Sequence, residues 1–518
     1  MNKSPSLVKD ALISLAAGLG IGILVAAFSA PPFAQAVFGG IVLASLCSFA
    51  LIRVWRGMGG GKSLAAVVLT TFLIRIAFGI FFYAVLPAAG DDTPVQNAGY
   101  VYSDAFERDT AAIELVQSGE SLLAPFLKQI KSDQYGGLLT VSAAIYAVLS
   151  PQAARPLLIT LLAAFTTAAG LAFFWSALRK RFSERFTLIA AWTLALYPEG
   201  VLLGSSQMRE PFLIGLGCIA FWAALEWRTD KLKAFLVFLA SAIGMVLFSA
   251  PAGLVIGGIC VALVILEFTL TTETTVNRWT GIEVLILMGF GSIIAGWMWL
   301  QPTLYFSAYQ AKMGSGMLQV LFDIIPDQWT IPFVTAYGLV QPVLPAAITD
   351  PAKPFWVVLG IIRAAGWWFM LPFLLYAFFS LMRRKKDENG WILTFAAIVF
   401  FVWTVVSSAR AGGDQWDNPR YRAILLPWMA MVFAWVWLRV KEIHPAWFWR
   451  WVAIIGVFFL GVLDWYMFRK WEVGIYIHPV RLAAVLGGLS ILILIGGAVW
   501  DRVRRPRQIG ETREPPHG

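Results

Sequence analysis

Charged residues are scarce in this sequence. Asp, Glu, Lys and Arg together make up 14% of its 518 residues, whereas about a quarter of the residues of a soluble globular protein are charged. Hydrophobic residues account for 59% of the chain, which excludes a single soluble globular protein of this length. The sequence therefore predicts an all-α polytopic membrane protein, because helices let apolar segments of about 20 residues cross a bilayer.

Cysteine and histidine are also rare, with three of each. Cys47, Cys218 and Cys260 lie inside apolar segments, so we expect small buried side chains and neither a disulfide framework nor a CxxC metal site. The histidines are far apart in the sequence and form no cluster suited to zinc. We therefore predict no metal site from these residues.

Fourteen apolar segments are long enough to cross a membrane. They lie near 11–30, 34–53, 64–86, 157–177, 186–203, 211–227, 234–249, 252–270, 280–300, 355–381, 391–408, 421–438, 448–468 and 480–500. Together they predict one membrane domain over 1–500, followed by a basic cytoplasmic tail, 501–518. A further apolar stretch, 136–150, is short for a span and is predicted to be re-entrant.

The status of 136–150 decides the orientation of every later segment. If it crosses, the basic clusters in 179–185 and 383–386 lie outside, against the tendency of Lys and Arg to remain in cytoplasmic loops. We therefore predict that it does not cross and that both termini are cytoplasmic, in a multi-pass protein of the plasma (inner) membrane. The net charge of +10 is then spread over membrane loops, which argues against a nucleic-acid partner and leaves membrane lipids as neighbours.

Two long loops, 87–156 and 301–354, face the outside in this topology, and the first one carries the clearest pattern. Ser103 is predicted to cap a helix that ends at Gly119, with Asp104 in its first turn, where the helix dipole favours a carboxylate. The helix has apolar positions that we expect at the bilayer surface: Phe106, Ile113 and Val116. The alternative is a solvated amphipathic helix without a site.

Two shorter outer loops end in helix starts that carry arginine. Arg209 and Glu210 precede a helix that begins with proline, and Arg420 and Arg422 follow Pro419 in the same way. Cations at these ends oppose the helix dipole, which an anionic ligand would offset. The alternative is that these arginines extend to lipid phosphates without a specific site.

Arginine also occurs inside predicted spans, at Arg75 and Arg363. Ionisable groups at such depth are costly and mark functional sites by default. Asp464, near the outer end of another span, is a candidate partner for Arg363, and a purely structural ion pair is an equal alternative.

These features resemble the GT-C superfamily of membrane glycosyltransferases, in particular the protein-mannosyltransferase-like and Rhizobium lipopolysaccharide glycosyltransferase-like branch. The similar segments are Tyr102-Ser-Asp104-Ala-Phe-Glu107-Arg-Asp109, the helix from Gly137 to Tyr146, Arg155-Pro-Leu-Leu, Tyr197-Pro198 to Arg209-Glu210, and Pro419-Arg420-Tyr421 to Leu426-Pro427. The family's first-loop catalytic aspartate falls on Asp104. Because Ala105 follows where the family often has a second acid, Asp109, Glu107 and Asp92 remain rivals.

The resemblance implies a polyprenyl-phosphate sugar donor and a glycan, lipid or protein acceptor, with transfer at the non-cytoplasmic face and without a nucleotide-binding domain. It requires no cofactor, although a divalent cation at the carboxylates is compatible with it. Asp104 and Asp109 are the predicted catalytic acids, and on a regular helix they lie about 140° apart, so both cannot face one ligand. The predicted lipid-phosphate site consists of Arg209, Glu210, Arg363, Arg420 and Arg422.

Two other functions remain open from the sequence. A transporter or flippase would show inverted repeats and broken helices in matching halves, and we detect no such repeat. A lipid-linked glycan ligase or polymerase would have one large outer loop between late spans, and 301–354 is only of moderate length.

Overall fold

The computed structural model describes residues 7–127, 133–314, 316–381 and 389–504. Every regular element in these ranges is a helix, which confirms the predicted all-α membrane fold. The first twelve helices are α1 Leu7–Ala27, α2 Phe33–Gly57, α3 Lys62–Ala89, α4 Pro94–Asn97, α5 Ser103–Ser118, α6 Ala124–Leu127, α7 Gly137–Leu149, α8 Pro156–Arg181, α9 Glu184–Leu196, α10 Pro198–Gly204, α11 Glu210–Glu226 and α12 Lys231–Phe248.

Eleven more helices follow in the described part of the chain. They are α13 Ala250–Thr271, α14 Thr275–Gly314, α15 Gly316–Phe322, α16 Asp327–Val340, α17 Leu344–Ile348, α18 Pro354–Leu381, α19 Gly390–Ala411, α20 Asp417–Ala423, α21 Leu426–Ile443, α22 Ala446–Trp471 and α23 Pro479–Arg504.

Each of the fourteen predicted segments coincides with a helix or a pair of helices. Eleven described helices are long and apolar enough to span a membrane, and two bent pairs, α9 with α10 and α20 with α21, raise the number to 13. The remaining predicted segment is α11, which has 17 residues and packs against α8 and α12. Its burial explains how a short apolar helix is accommodated in the centre of the bundle.

Burial separates the core helices from those that face lipid. In the most apolar stretch of α8, 78% of the residues are buried, against 6% in α14. The exposed side chains of α14 are large and apolar, including Trp297, Met298 and Phe306. Such an apolar surface is suited to contact with lipid. In the core, the small residues of α8 and α11 let the two backbones approach closely, as at Gly170 beside Gly215.

The short helix α7 does not cross the bundle. It has 13 residues. One cavity is lined both by the glycines that precede α3, Gly59, Gly60 and Gly61, and by residues at the end of α8 and the start of α9, Arg179, Lys180 and Glu184. The start of α3 and the end of α8 therefore lie at the same end of the bundle. Since α3 carries the chain away from that end and α8 brings it back, α7 adds no crossing. Asn389 also donates a hydrogen bond to the Arg181 carbonyl at 2.8 Å, which brings the start of α19 to the same end.

In the first long loop, α5 packs against α7. Phe106, Ile113 and Val116 are half-buried against neighbouring apolar clusters. The predicted helix ends are nearly right. Gly119 ends the helix with φ 70°, but Tyr102 and not Ser103 occupies the N-cap position. The sequence also predicts an amphipathic segment over 122–130 in this loop, and its residues 128–130 lie outside the described residues.

The predicted outer loop 301–354 is mostly helical. The helix α14 is 40 residues long and continues through Pro302 to Gly314, and α15, α16 and α17 follow. At the other end of the chain, α23 extends to Arg504, four residues into the predicted tail, and 505–518 lie outside the described residues.

Candidate active site

Three carboxylates converge on the guanidinium of Arg420. Its Nε donates to Glu210 Oε1 at 2.9 Å, and its Nη1 donates to Asp417 Oδ1 at 3.1 Å and to Asp104 Oδ2 at 3.3 Å. These residues belong to α5, α11 and α20, so segments separated by up to 316 positions in the sequence meet at one side chain. Charge-assisted hydrogen bonds of this kind fix geometry as well as charge.

Two broken helices bring these groups together. The chain bends by 76° between α20 and α21, and by 52° between α9 and α10. Pro427 and Pro198 lie in the first turns after these bends, where a missing N–H costs nothing. The short helices α10 and α20, which carry Glu199 and Arg420, pack against each other.

The cluster lies at the end of the bundle opposite to the glycine loop of 57–63. Glu210 is the first residue of α11, whereas Glu226, the last, pairs with Lys180 at that glycine-loop end. A helix of 17 residues separates the two ends by about 25 Å, at 1.5 Å per residue.

The side chains of the cluster differ in their exposure to solvent. The side chains of Arg420 and Glu210 are 6% and 2% exposed, whereas those of Asp104 and Asp417 are 46% and 38% exposed. Asp104 is therefore a carboxylate held by a buried guanidinium at an open surface. Such an oxygen can accept a proton from a bound hydroxyl group.

Two buried polar atoms in the cluster have no hydrogen-bond partner. They are the hydroxyl of Tyr102, whose ring lies 5.8 Å from the Arg420 guanidinium, and Oε2 of Glu210. Unsatisfied buried groups are uncommon in folded proteins and call for an explanation such as a ligand.

Arg363 forms a buried bidentate ion pair with Glu199 and not with Asp464, so the predicted partner is wrong. Its Nε and Nη2 donate to the two Glu199 oxygens at 2.7 and 3.1 Å, and its guanidinium lies 4.0 Å from the ring centre of Trp416. Asp464 lies 3.4 Å from the Ile475 backbone N–H instead. Trp416 also packs edge-on against Tyr102, which connects this pair to the Arg420 cluster.

Asp109 is separate from Asp104, as the angle between them on α5 predicts. It is 4% exposed and accepts hydrogen bonds from the hydroxyl groups of Tyr100, at 2.5 Å, and Tyr146. Burial raises the pKa of Asp109 to about 6, although both tyrosines and Arg108 act to lower it. This carboxylate fixes α5 against α7 and does not reach the exposed cluster.

The two other acids considered from the sequence lie outside the cluster. Glu107 is exposed on α5. Asp92 is exposed and accepts a hydrogen bond from Asn97 Nδ2 at 2.9 Å within its own turn.

The predicted phosphate-binding arginines differ in the partners that they already have. Arg420 and Arg363 are already paired with carboxylates. Arg422 is buried against the ring of Trp367 at 3.4 Å and donates to the Gln341 carbonyl at 2.7 Å. Of the five predicted residues, Arg209 is the only cation that forms no ion pair or hydrogen bond with any part of the chain that the structure describes; its guanidinium lies 5.2 Å from the ring centre of Tyr135.

Four residues of this region were not predicted as site residues: Tyr102, Arg108, Glu199 and Asp417. Glu199 carried a usable signal, since an acid directly after Pro198 inside an apolar segment is as exceptional as the arginines at positions 75 and 363. Arg75 itself donates to the Thr71 and Ala195 carbonyls at 3.0 and 3.1 Å. It thereby satisfies the carbonyl left open where α9 ends.

Within the described residues, no group of three or more His, Cys, Asp and Glu side chains is arranged to hold a metal ion. The acids of the cluster are directed to Arg420. Comparison of the chain with known proteins found no match to a family model, to a curated protein or to a solved structure.

Proposed function

We propose that this protein is an integral-membrane glycosyltransferase that moves a sugar from a polyprenyl-phosphate donor to a glycan, lipid or protein acceptor. The observation that carries the proposal is the position of Asp104, a half-exposed carboxylate held by Arg420 at the end of the membrane bundle. The resemblance of segment 102–109 to the catalytic loop of GT-C glycosyltransferases supports the same residue.

Asp104 acts as the general base in this mechanism. It takes the proton of the acceptor hydroxyl while that oxygen forms a bond to the anomeric carbon of the donor. The bond from the anomeric carbon to the phosphate oxygen breaks, and the phosphate leaves with the electron pair. Attack opposite to the leaving group inverts the anomeric centre. Arg420 and the buried Glu210 hold Asp104 in position, which is the main contribution of a site whose leaving group is already stable.

The proposed location of the reaction is the non-cytoplasmic face of the plasma (inner) membrane, with both termini in the cytoplasm. The glycine loop and the end of α8 carry Lys62, Arg179, Lys180 and Arg181 at the opposite end of the bundle. Lys and Arg accumulate in cytoplasmic loops, so the Arg420 cluster faces outward.

Transfer activity of the purified protein in liposomes tests the proposal. Donors are polyprenyl phosphates that each carry one radiolabelled sugar, and acceptors are lipid, glycan and peptide fractions. We expect transfer by the wild type and a loss of at least about a hundredfold in Asp104→Asn, the size typical of a lost general base. Glu107→Gln, an exposed acid on the same helix, is the matched control. Full activity of Asp104→Asn would overturn the mechanism.

A transporter or flippase is the second candidate, because the structure contains the two broken spans that such proteins use. Their positions favour an enzyme. Both α10 and α20 have only seven residues, about 10 Å of helix, so each break lies near one end of its span. Transporter sites lie near the bilayer midplane.

Movement of a fluorescent polyprenyl-phosphate sugar between leaflets, undiminished in Asp104→Asn, would favour the flippase. A glycan ligase or polymerase has less support, since 301–354 is largely helical.

A further inference from the structure

Arg108 is a buried arginine with unused hydrogen-bonding capacity. It is 3% exposed, and its Nη1 donates to the Gln207 carbonyl at 3.0 Å. Its Nε has no hydrogen-bond partner. Asp133 Oδ2 lies 3.9 Å from that nitrogen, beyond hydrogen-bond distance, and accepts from the Leu139 backbone N–H at 3.0 Å. A buried cationic donor left unsatisfied is costly, so this fork is suited to an acceptor that the protein itself does not supply.

Arg108 contacts the backbone close to Arg209, because its Nη1 donates to the carbonyl of Gln207, two residues before Arg209. Burial lowers the pKa of Arg108 and the charge of Arg209 lowers it further, whereas Asp133 and, more weakly, Asp104 and Glu210 raise it. Arg209 is half-buried and rests on the ring of Tyr135. Among the described residues, it has no acceptor for its N–H groups. The contact with Gln207 therefore places Arg108, whose Nε has no hydrogen-bond partner, in the same region as Arg209.

This arginine pair borders the carboxylate cluster. Asp104 and Arg108 are four residues apart on α5 and thus share one face of the helix, while Arg209 directly precedes Glu210. Asp104 and Glu210 form their ion pairs with Arg420, and Asp133 is the carboxylate that lies 3.9 Å from Arg108 Nε. The carboxylates of Asp104 and Glu210 are therefore committed to Arg420 and form no hydrogen bond with Arg108 or Arg209 in the described structure.

We infer that Arg108 and Arg209 form a binding site for a phosphate or diphosphate group beside Asp104. Planar guanidinium groups match phosphate oxygens with paired hydrogen bonds, and two such forks supply the donors that one phosphate group accepts. The site itself rests on the contacts above; that its ligand is the phosphate of a lipid-linked sugar rests on the proposed function. The site replaces the one predicted from the sequence, because Arg363, Arg420 and Arg422 are engaged elsewhere.

Binding of farnesyl phosphate, inorganic phosphate, pyrophosphate and farnesol to the purified protein tests the inference without any transfer reaction. We expect farnesyl phosphate to bind and farnesol not to bind. Its Kd should rise about tenfold or more in Arg209→Gln, the loss expected when a charge-assisted contact is removed. Arg108→Gln should raise the Kd by a similar factor if that variant folds. If it does not fold, Arg209→Lys provides a second test, and its Kd should lie between those of the wild type and Arg209→Gln. Arg469→Gln, an exposed arginine on α22, is the control and should leave the Kd unchanged.

The source of the phosphate follows from the relative affinities. Tighter binding of farnesyl phosphate than of inorganic phosphate or pyrophosphate identifies a lipid-borne group, and equal or weaker binding identifies a free one. The same Kd in the wild type, Arg209→Gln and Arg469→Gln, or no binding of any phosphate, would overturn the site. Phosphate binding in a protein that transfers no sugar would remove the proposed function and leave this site intact.

Discussion

Glu210 Oε1 lies 2.9 Å from Arg420 Nε, and both side chains are almost completely buried. The contact joins the first residue of α11 to the short helix α20 across 210 positions of sequence. Because Nε is occupied by Glu210, the outer nitrogen Nη1 is directed to the exposed carboxylates Asp104 and Asp417. Glu210 therefore positions Arg420, and Arg420 in turn positions Asp104.

Glu210→Gln and Arg420→Gln should be coupled. Each single change leaves a buried charge with fewer partners, so each should lower the apparent melting temperature in detergent. The double variant should lose less than the sum of the two, by roughly 1 to 3 kcal/mol of coupling. Transfer activity should fall in both single variants without a large change in the KM of the donor, since neither residue touches the phosphate. Additive losses of stability would contradict the contact.

Removal of Glu199 alone should destabilise the protein more than replacement of Glu199 and Arg363 together. Glu199→Gln leaves a buried guanidinium without its carboxylate, which costs about 3 to 5 kcal/mol. Replacement of both residues, as Glu199→Leu with Arg363→Met, should recover most of that loss because no charge remains buried. Thermal unfolding measures all three proteins. Asp323→Asn, which removes an exposed pair with Lys312 at 3.8 Å, should change stability by less than about 1 kcal/mol. A double variant as unstable as Glu199→Gln would argue against this account.

The sequence was sufficient for the spans because apolar composition alone determines which segments can enter a bilayer. It was also sufficient, to within one residue, for the start of α5, and it was sufficient for the opposed directions of Asp104 and Asp109, which depend only on helix geometry. The length of α14 was missed, because the amphipathic turns after Pro302 resemble a loop in composition while forming helix.

The ion-pair partners of the arginines could not be predicted from the sequence. Arg363 pairs with Glu199, 164 positions away, and such a contact depends on how the bundle is packed. The difference between Arg420 and Arg422 was within reach. Residues two positions apart on a helix point about 200° apart, so one faces the carboxylates while the other faces Trp367.

The orientation of the chain can be tested with single cysteines. The three native cysteines are buried and should not react with a water-soluble maleimide. Ser121→Cys and Ser183→Cys place exposed thiols at the two ends of the bundle. We expect an impermeant maleimide to label position 121 in intact cells and position 183 only after permeabilisation. The reverse pattern would place the Arg420 cluster in the cytoplasm and exclude transfer on the outer face.

Asp109 should make stability depend on pH. Its pKa is about 6 in the folded protein, against 3.8 for an ordinary aspartate. Between these values the folded state holds a proton that the unfolded chain has lost, so the free energy of unfolding falls as the pH rises from about 4 to 6 and stays lower above that. The difference corresponds to about 3 kcal/mol. Asp109→Asn cannot titrate, and its melting temperature should therefore fall less than that of the wild type between pH 4.5 and pH 7.

The exposed acid on the same helix provides the control for this effect. Glu107→Gln should keep the wild-type slope, because Glu107 is in contact with water in the folded protein. Tyr146→Phe removes one of the hydroxyl groups that stabilise the ionised carboxylate. It should raise the pKa of Asp109 further and extend the pH range over which stability falls. If the melting temperatures of the wild type, Asp109→Asn and Tyr146→Phe changed with pH in the same way, the pKa of Asp109 would be the same in the folded and unfolded states.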